Sequence, residues 1–243
     1  MKNNTTRLLT IGLASVILTS ALTACKINRS VNINANVNVN GEEVFSTHIS
    51  TDSWEVPYIN KVSAEDKKIF EDAVNKLDGY FYEPVALLGT QVVSGTNYCF
   101  LCKPAISANN AMNSLVLTYI YVDLQGNASF EKDERLVLPG TETADGSVPM
   151  SGGWSYAEST EITSEVRDVL NKAMETLTGE AYEGIAYVGS QVVAGRNHAI
   201  LCKTLPSVSG QNTPSSLVIV YVYEDLQGNC EITGTTDVKL GYL

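Results

Sequence analysis

The chain has 243 residues, a hydrophobic content of 44% and a formal net charge of −11. The apolar content is close to the globular average, so the sequence has enough apolar material for a folded core. The negative charge argues against nucleic acid or anionic lipid as a partner of the folded part, because both would repel an acidic surface.

The N-terminal segment has the pattern of an export signal. Lys2 and Arg7 precede an apolar run over residues 8–22, which is too short to span a bilayer comfortably. The run ends in Leu22-Thr23-Ala24-Cys25, which resembles the bacterial lipobox. The resemblance implies that residues 1–24 are a lipoprotein signal peptide and that Cys25 is lipidated. We therefore expect an extracytoplasmic protein that is anchored to the bacterial membrane only through its N-terminal lipid.

Residues 25–41 are predicted to form a tether between the lipid and the folded part. From Arg29 to Gly41, asparagine alternates with valine, isoleucine and alanine. Alternation favours a strand, but asparagine side chains compete with the backbone hydrogen bonds that a strand needs. An additional edge strand is the alternative to a tether.

The rest of the chain contains an internal repeat. Residues 82–103 recur as residues 182–203, and Trp54 recurs as Trp154. After Lys103 the spacing grows by two residues, since residues 123–127 recur as 225–229. A length change confined to one loop is expected of two copies of a folded unit. We therefore divide the chain into repeat 1, residues 42–143, and repeat 2, residues 144–243.

Each repeat is predicted to contain one helix and then four strands. Ser63 and Thr163 are expected to cap amphipathic helices that end at Gly79 and Gly179. In repeat 1 the strands are predicted over residues 85–93, 96–103, 115–122 and 128–136, and repeat 2 has the same four runs. An amphipathic helix needs a sheet face to cover its apolar stripe. The sequence thus predicts an α+β fold of two tandem units, each with one helix packed on a four- to five-stranded antiparallel sheet.

The order of the strands brings two turns together. Alternate turns of an antiparallel meander lie at the same end of the sheet. The turn at Ser94-Gly95 is therefore expected beside the turn at Gln125-Gly126. The equivalent turns of repeat 2, at Ala194-Gly195 and Gln227-Gly228, are expected to lie side by side in the same way.

The first of these turns carries a motif of a known protein family. Residues 91–95 and 191–195 both match the pattern Gln-x-Val-x-Gly, which resembles the first-hairpin signature of cystatins. Gly152-Gly153, about ten residues before the second helix, resembles the glycine-containing N-terminal trunk of the stefin-type members. The resemblance covers nearly all of residues 144–243 and, less completely, residues 54–138.

The resemblance implies two cystatin-like units that act as a reversible, competitive inhibitor of papain-like cysteine proteases. The trunk and the two hairpin turns would fill the active-site cleft as a wedge, without a covalent bond, a metal or a cofactor. We expect a monomer that is not an enzyme. The protease-binding residues that the resemblance implies are Gly152, Gly153, Gln191, Val192, Val193, Ala194, Gly195, Leu226, Gln227 and Gly228 in repeat 2, and Gln91, Val92, Val93, Ser94 and Gly95 in repeat 1.

Two departures from the family pattern leave an alternative open. Many cystatins carry a Pro-Trp pair on the second hairpin, where both repeats have Asp-Leu-Gln-Gly-Asn. Repeat 1 also has Asp52-Ser53 in place of the trunk glycines. The alternative function is a non-inhibitory surface module that binds a host or envelope protein. The valines beside each turn also have a purely structural interpretation, in which they complete the sheet core.

The remaining reactive residues do not form a recognisable site. Cys99 and Cys102 lie three residues apart in a strand, so their side chains are expected on opposite faces of the sheet. A Cys202–Cys230 disulfide is possible in an oxidising compartment. Trp54 and Trp154 are expected to pack near the helix start, with ligand stacking as the alternative.

Overall fold

The computed structural model describes residues 53–79, 81–105, 114–139, 153–175, 177, 179, 181–205 and 215–241. The predicted signal peptide, the predicted lipidation site Cys25, the predicted tether and the trunk residue Gly152 lie outside the described residues. Within the described ranges, no helix is long and apolar enough to cross a membrane.

Two helices begin where the sequence predicts. Helix α1 spans Ala64–Val74, and Ser63 caps it by accepting a hydrogen bond from the backbone N–H of Asp66 at 3.1 Å. The Asp66 carboxylate accepts from the backbone N–H of Ser63 in return, at 2.9 Å, which completes a capping box. Helix α2 spans Ser164–Met174 and is capped by the side chain of Thr163. Both helices end before the glycines that were predicted to stop them.

The strands of the described residues form two antiparallel sheets, each in chain order. The first sheet consists of β1 (Tyr82–Val93), β2 (Gly95–Pro104), β3 (Val116–Val122) and β4 (Ala128–Arg135). The second sheet consists of β5 (Trp154–Tyr156), β6 (Ala181–Val193), β7 (Gly195–Leu205), β8 (Leu217–Glu224) and β9 (Cys230–Val238). The short strand β5 was not predicted.

The predicted fold class is wrong, because the described residues are mostly β. Strands account for 51% of them, and two antiparallel sheets lie between one helix on each side. The inner faces of both sheets contribute to one cluster of buried side chains, which we call the shared core. It includes Leu88, Leu101 and Tyr119 from the first sheet and Val188 and Leu201 from the second. The arrangement is not that of two separate helix-on-sheet units.

The central strands explain why each sheet needs a cover on both faces. In β2, the consecutive residues Cys99, Phe100, Leu101 and Cys102 all have no exposed surface. Successive side chains of a strand point to opposite faces, so a continuous buried run requires packing on both. One helix covers only the outer face, where Phe100 and Cys102 pack with α1. The inner face is covered by the other sheet.

Each repeat also covers the sheet of the other with the segment that follows its last strand. Leu138 lies against Gly189 of the second sheet, where an added Cβ would be 2.8 Å from the Leu138 Cδ1 atom. Leu240 lies against Gly89 of the first sheet in the equivalent way, at 2.5 Å. The two glycines therefore provide the space into which these leucines pack.

Trp154 belongs to the shared core, and Trp54 packs against the shared core as a half-buried side chain. Trp54 contacts Tyr119 edge to face at 5.7 Å between ring centroids, and Trp154 contacts Tyr221 in the same manner at 5.4 Å. The indole N–H of Trp54 donates to the carbonyl oxygen of Gly241 at 2.9 Å. Both rings pack between the sheets and not at the helix starts where they were expected.

Cys99 and Cys102 are fully buried thiols in this fold. Cys99 belongs to the shared core and Cys102 to the cluster under α1, which confirms that they point to opposite faces. Burial raises the pKa of both thiols, so neither is a ready nucleophile. Cys202 and Cys230 are both free thiols, so the disulfide considered above is not formed.

We expect Leu138→Ala to lower the free energy of unfolding by about 2–5 kcal/mol, because Leu138 is fully buried and its loss leaves a cavity against the second sheet. The neighbouring Val137 is 41% exposed, and Val137→Ala should change the stability by less than about 0.5 kcal/mol. Urea unfolding followed by tryptophan fluorescence and far-UV circular dichroism measures both variants. Two separate transitions, with only one of them shifted by Leu138→Ala, would contradict a core shared between the repeats.

Candidate functional site

Each sheet has one end at which two hairpin turns lie side by side, and we call this end its tip edge. In the second sheet, Arg196 at the start of β7 pairs with Glu224 at the end of β8. The turn between β6 and β7 is therefore adjacent to the turn between β8 and β9. Thr96 pairs with Val122 in the first sheet and produces the same arrangement. The side-by-side placement of the turns is as predicted.

Glycine is required at the first turn of each tip edge because of its backbone conformation and its close contact with the neighbouring strand. Gly195 has a φ of 119°, and a Cβ there would collide with the carbonyl oxygen of Glu224. Gly95 has a φ of 128° and lies in the same way against Val122. Only glycine allows both this conformation and this close approach of the backbones. The glycine of the motif is thus needed to join the two turns, whatever they bind.

A tyrosine ties the first turn to the neighbouring strand. The Tyr223 hydroxyl donates to the carbonyl oxygen of Ala194 at 2.6 Å. In repeat 1, the Tyr121 hydroxyl donates in the same way to the carbonyl oxygen of Ser94. These bonds hold the turns in one conformation, which reduces the entropy lost when a partner docks. Neither tyrosine was identified from the sequence as part of the site.

An aspartate fixes the second turn. The Asp225 carboxylate accepts hydrogen bonds from the backbone N–H groups of Gln227 and Asn229, at 2.8 and 2.9 Å, and from the Asn229 side chain at 2.7 Å. Asp123 makes the equivalent bonds in repeat 1. The bonds from Asn229 stabilise the ionised carboxylate and lower the pKa of Asp225. Both turns of each tip edge are therefore rigid.

The glutamine of the motif braces the sheet. The Gln91 side chain is buried and accepts a hydrogen bond from the Asn97 side chain on β2 at 2.8 Å. Gln191 accepts from Asn197 at 2.7 Å. Gln91 was expected to contact a protease, but its side-chain oxygen is used within the sheet. The asparagine recurs in both repeats, and its pairing with glutamine was not predicted because the two side chains meet only through the register of adjacent strands.

The valines of the motif and one leucine of the second turn are exposed. Val93 and Val193 are each 40% exposed, so they do not simply complete the core. Val192 is more exposed than its counterpart Val92, at 67% against 43%. On the second turns Leu124 and Leu226 are 79% and 78% exposed. Apolar side chains grouped on rigid turns are a feature of binding surfaces.

The segment before α2 runs beside the first turn of repeat 2. Trp154 of β5 pairs with Gln191 of β6 in antiparallel register. Gly153, the residue before Trp154, therefore lies beside Val192, the residue after Gln191. Gly153 and the two turns consequently lie in order along one tip edge. In repeat 1 an isolated bridge joins Glu55 to Thr90, which puts Ser53 in the corresponding position. Three of the segments named from the sequence are therefore brought together.

No protein-family model matches the chain, and no curated protein matches it. The resemblance to cystatins therefore stays a prediction.

We expect Asn229→Ala to raise the pKa of Asp225 toward its ordinary value of 3.8, because the variant loses the side-chain bond that contributes most to the lowering. A carboxylate whose pKa is lowered by folding stabilises the turn when the pH is above the ordinary pKa. This stabilisation is lost as the pH falls through the lower pKa of the folded state. Carboxyl carbon shifts followed by NMR during an acid titration measure this directly. Asp123 serves as the control in the same molecule, and an unchanged Asp225 would refute the role of Asn229.

Proposed function

We propose that the protein is a reversible, competitive inhibitor of papain-like cysteine proteases and that the tip edge of repeat 2 enters the active-site cleft. One observation carries the proposal: Gly153, the exposed Val192 and Val193, and the exposed Leu226 occupy a single edge of one sheet. Rigid turns with apolar side chains suit a narrow cleft, and burying one valine contributes about 1.5–3 kcal/mol. Gly153 has no side chain to prevent a close backbone approach.

The shared core does not interfere with this mode of binding. The second sheet is covered by the first sheet on its inner face and by α2 on its outer face. The tip edge lies at the end of the strands, and its apolar side chains stay exposed although Lys172 of α2 donates to the carbonyl oxygen of Gly228 at 3.3 Å. Binding through this edge therefore needs no rearrangement of the core.

Repeat 2 is the better candidate for the binding unit. Ser53 stands where repeat 2 has Gly153, so a side chain projects from the corresponding segment of repeat 1. Val192 is also more exposed than Val92, which leaves more apolar area for a partner to bury. On this proposal a lipid on Cys25 would hold the inhibitor at the outer surface of a bacterial membrane.

A second function is favoured by one feature of the second turn. Leu226 is the only apolar side chain between Asp225 and Asn229, in a position where many cystatins have a Pro-Trp pair. A weaker contact at this turn would suit a non-inhibitory module that uses the same edge to hold a host or envelope protein.

Inhibition assays separate the two functions. The full chain is titrated against papain and a cathepsin L-type protease with a fluorogenic peptide substrate. We expect saturable inhibition that excess substrate relieves. Val192→Glu should weaken it by about 10- to 100-fold, since it places a charge where the proposal buries an apolar group. Gly153→Glu should weaken it as well.

Two variants of repeat 1 provide matched controls. Val92→Glu and Ser53→Glu make the same chemical changes at the other tip edge and should leave the inhibition nearly unchanged. Equal losses from both sets would show that both repeats bind. The absence of inhibition at micromolar protein, with native circular dichroism spectra, would reject the inhibitor and favour the attachment module.

A further inference from the structure

A groove lies on the outer side of the second sheet, between the sheet, α2 and the segment that leads into α2. Its volume is about 780 Å3, which is within the range of small-molecule sites. Tyr187, Val166 and Val169, which pack in the cluster under α2, form the apolar part of its walls. The exposed side chains Val192, Val193 and Leu226 do not line the groove, whereas Arg196 and Glu224 at the base of the tip edge do.

Three polar side chains form a hydrogen-bonded relay in the groove. Tyr187 Oη lies 3.0 Å from His198 Nδ1, and His198 Nε2 lies 3.2 Å from Glu224 Oε2. Burial lowers the pKa of His198, so its ring is neutral at pH 7. In this state Nδ1 accepts a hydrogen bond from the Tyr187 hydroxyl and Nε2 donates one to the Glu224 carboxylate. The His198 side chain is 7% exposed, whereas that of Glu224 is 33% exposed. A neutral histidine leaves the negative charge of Glu224 in place at the groove.

Repeat 1 has the same arrangement of sheet and helix but lacks this relay. Leu87, Tyr98 and Val122 occupy the positions equivalent to Tyr187, His198 and Glu224, and all three pack in the cluster under α1. Burying polar groups has a desolvation cost that apolar groups avoid. Because the fold is built without the relay in one repeat, packing does not explain its presence in the other.

The charge of the groove also differs between the repeats. Glu161 and Asp168 line the groove, and repeat 1 has Lys61 and Lys68 at the equivalent positions. Lysine and arginine contribute two cations to the lining, and the carboxylates outnumber them. The carboxylates that line the groove are Glu158, Glu161, Glu165, Asp168 and Glu224. None of the five is in an ion pair with lysine or arginine among the described residues.

We propose that this groove binds a small organic cation, an amine with an aromatic or apolar body, with Glu224 and Asp168 near the charged group and Tyr187 and Val166 against the body. Carboxylates attract the ammonium group, and tyrosine faces favour both cations and flat apolar groups. The groove adjoins the tip edge through Arg196 and Glu224, but the proposal does not rest on protease inhibition, so it stands whether or not the chain inhibits a protease.

The proposal is tested with 2-phenylethylamine as the probe and 2-phenylethanol as its neutral counterpart. The chain has only two histidines, His48 and His198, so the His198 ring signal can be followed by NMR in the full chain. We expect a saturable shift of this signal with the amine and a much smaller response to the alcohol.

Two variants and one control decide whether the groove is the site. Asp168→Lys introduces the residue of repeat 1 on an exposed helix face, and Glu224→Gln removes the charge of the relay; each should weaken amine binding by about tenfold or more. Glu65→Gln changes the equivalent of Glu165 in repeat 1 and should have no effect. Equal binding of the alcohol, unchanged affinity in Asp168→Lys, or no saturable shift at millimolar amine would each overturn the proposal.

Discussion

Four consecutive residues of β2, Cys99 to Cys102, have no exposed surface, and the same is true of Ala199 to Cys202 in β7. A strand with this pattern cannot lie at a surface on either side. One amphipathic helix per repeat covers one face, so the other face must be covered by the second repeat. This need explains the shared core, the packing of Leu138 and Leu240 on the sheet of the other repeat, and the positions of both tryptophans.

The tip edges are the part of each sheet that this packing leaves open. Sheet-on-sheet packing and helix packing both act on the faces, whereas the turns lie at the ends of the strands. Tyr223 and Asp225 stiffen those turns with hydrogen bonds inside the same sheet, without help from the core. Rigidity and exposure therefore occur together at one edge, which is the combination that a docking surface requires.

Local features of the fold were predictable from the sequence, and long-range packing was not. The helix caps at Ser63 and Thr163 and the adjacent turns depend on neighbouring residues, and the structure has them where they were expected. The buried run in β2 was visible in the sequence, but nothing local identifies the surface that covers it. The hydrogen bond between Gln91 and Asn97 could not be predicted either, because it depends on the register of β1 and β2. The relay of repeat 2 was not predicted, because its three residues lie on β6, β7 and β8 and meet only through the register of these strands.

The segments that follow the last strand of each repeat, and that pack on the sheet of the other repeat, have a consequence for the origin of the chain. Leu138 fills the space beside Gly189, and Leu240 fills the space beside Gly89, so each repeat completes the other by the same contact. A contact of this reciprocal kind is what a twofold symmetric pair of identical subunits would make. A gene for one repeat would encode a subunit that buries its inner face only by pairing with itself. Duplication and fusion of such a gene would join the two subunits covalently and free each half to diverge, as Tyr98 and His198 have done.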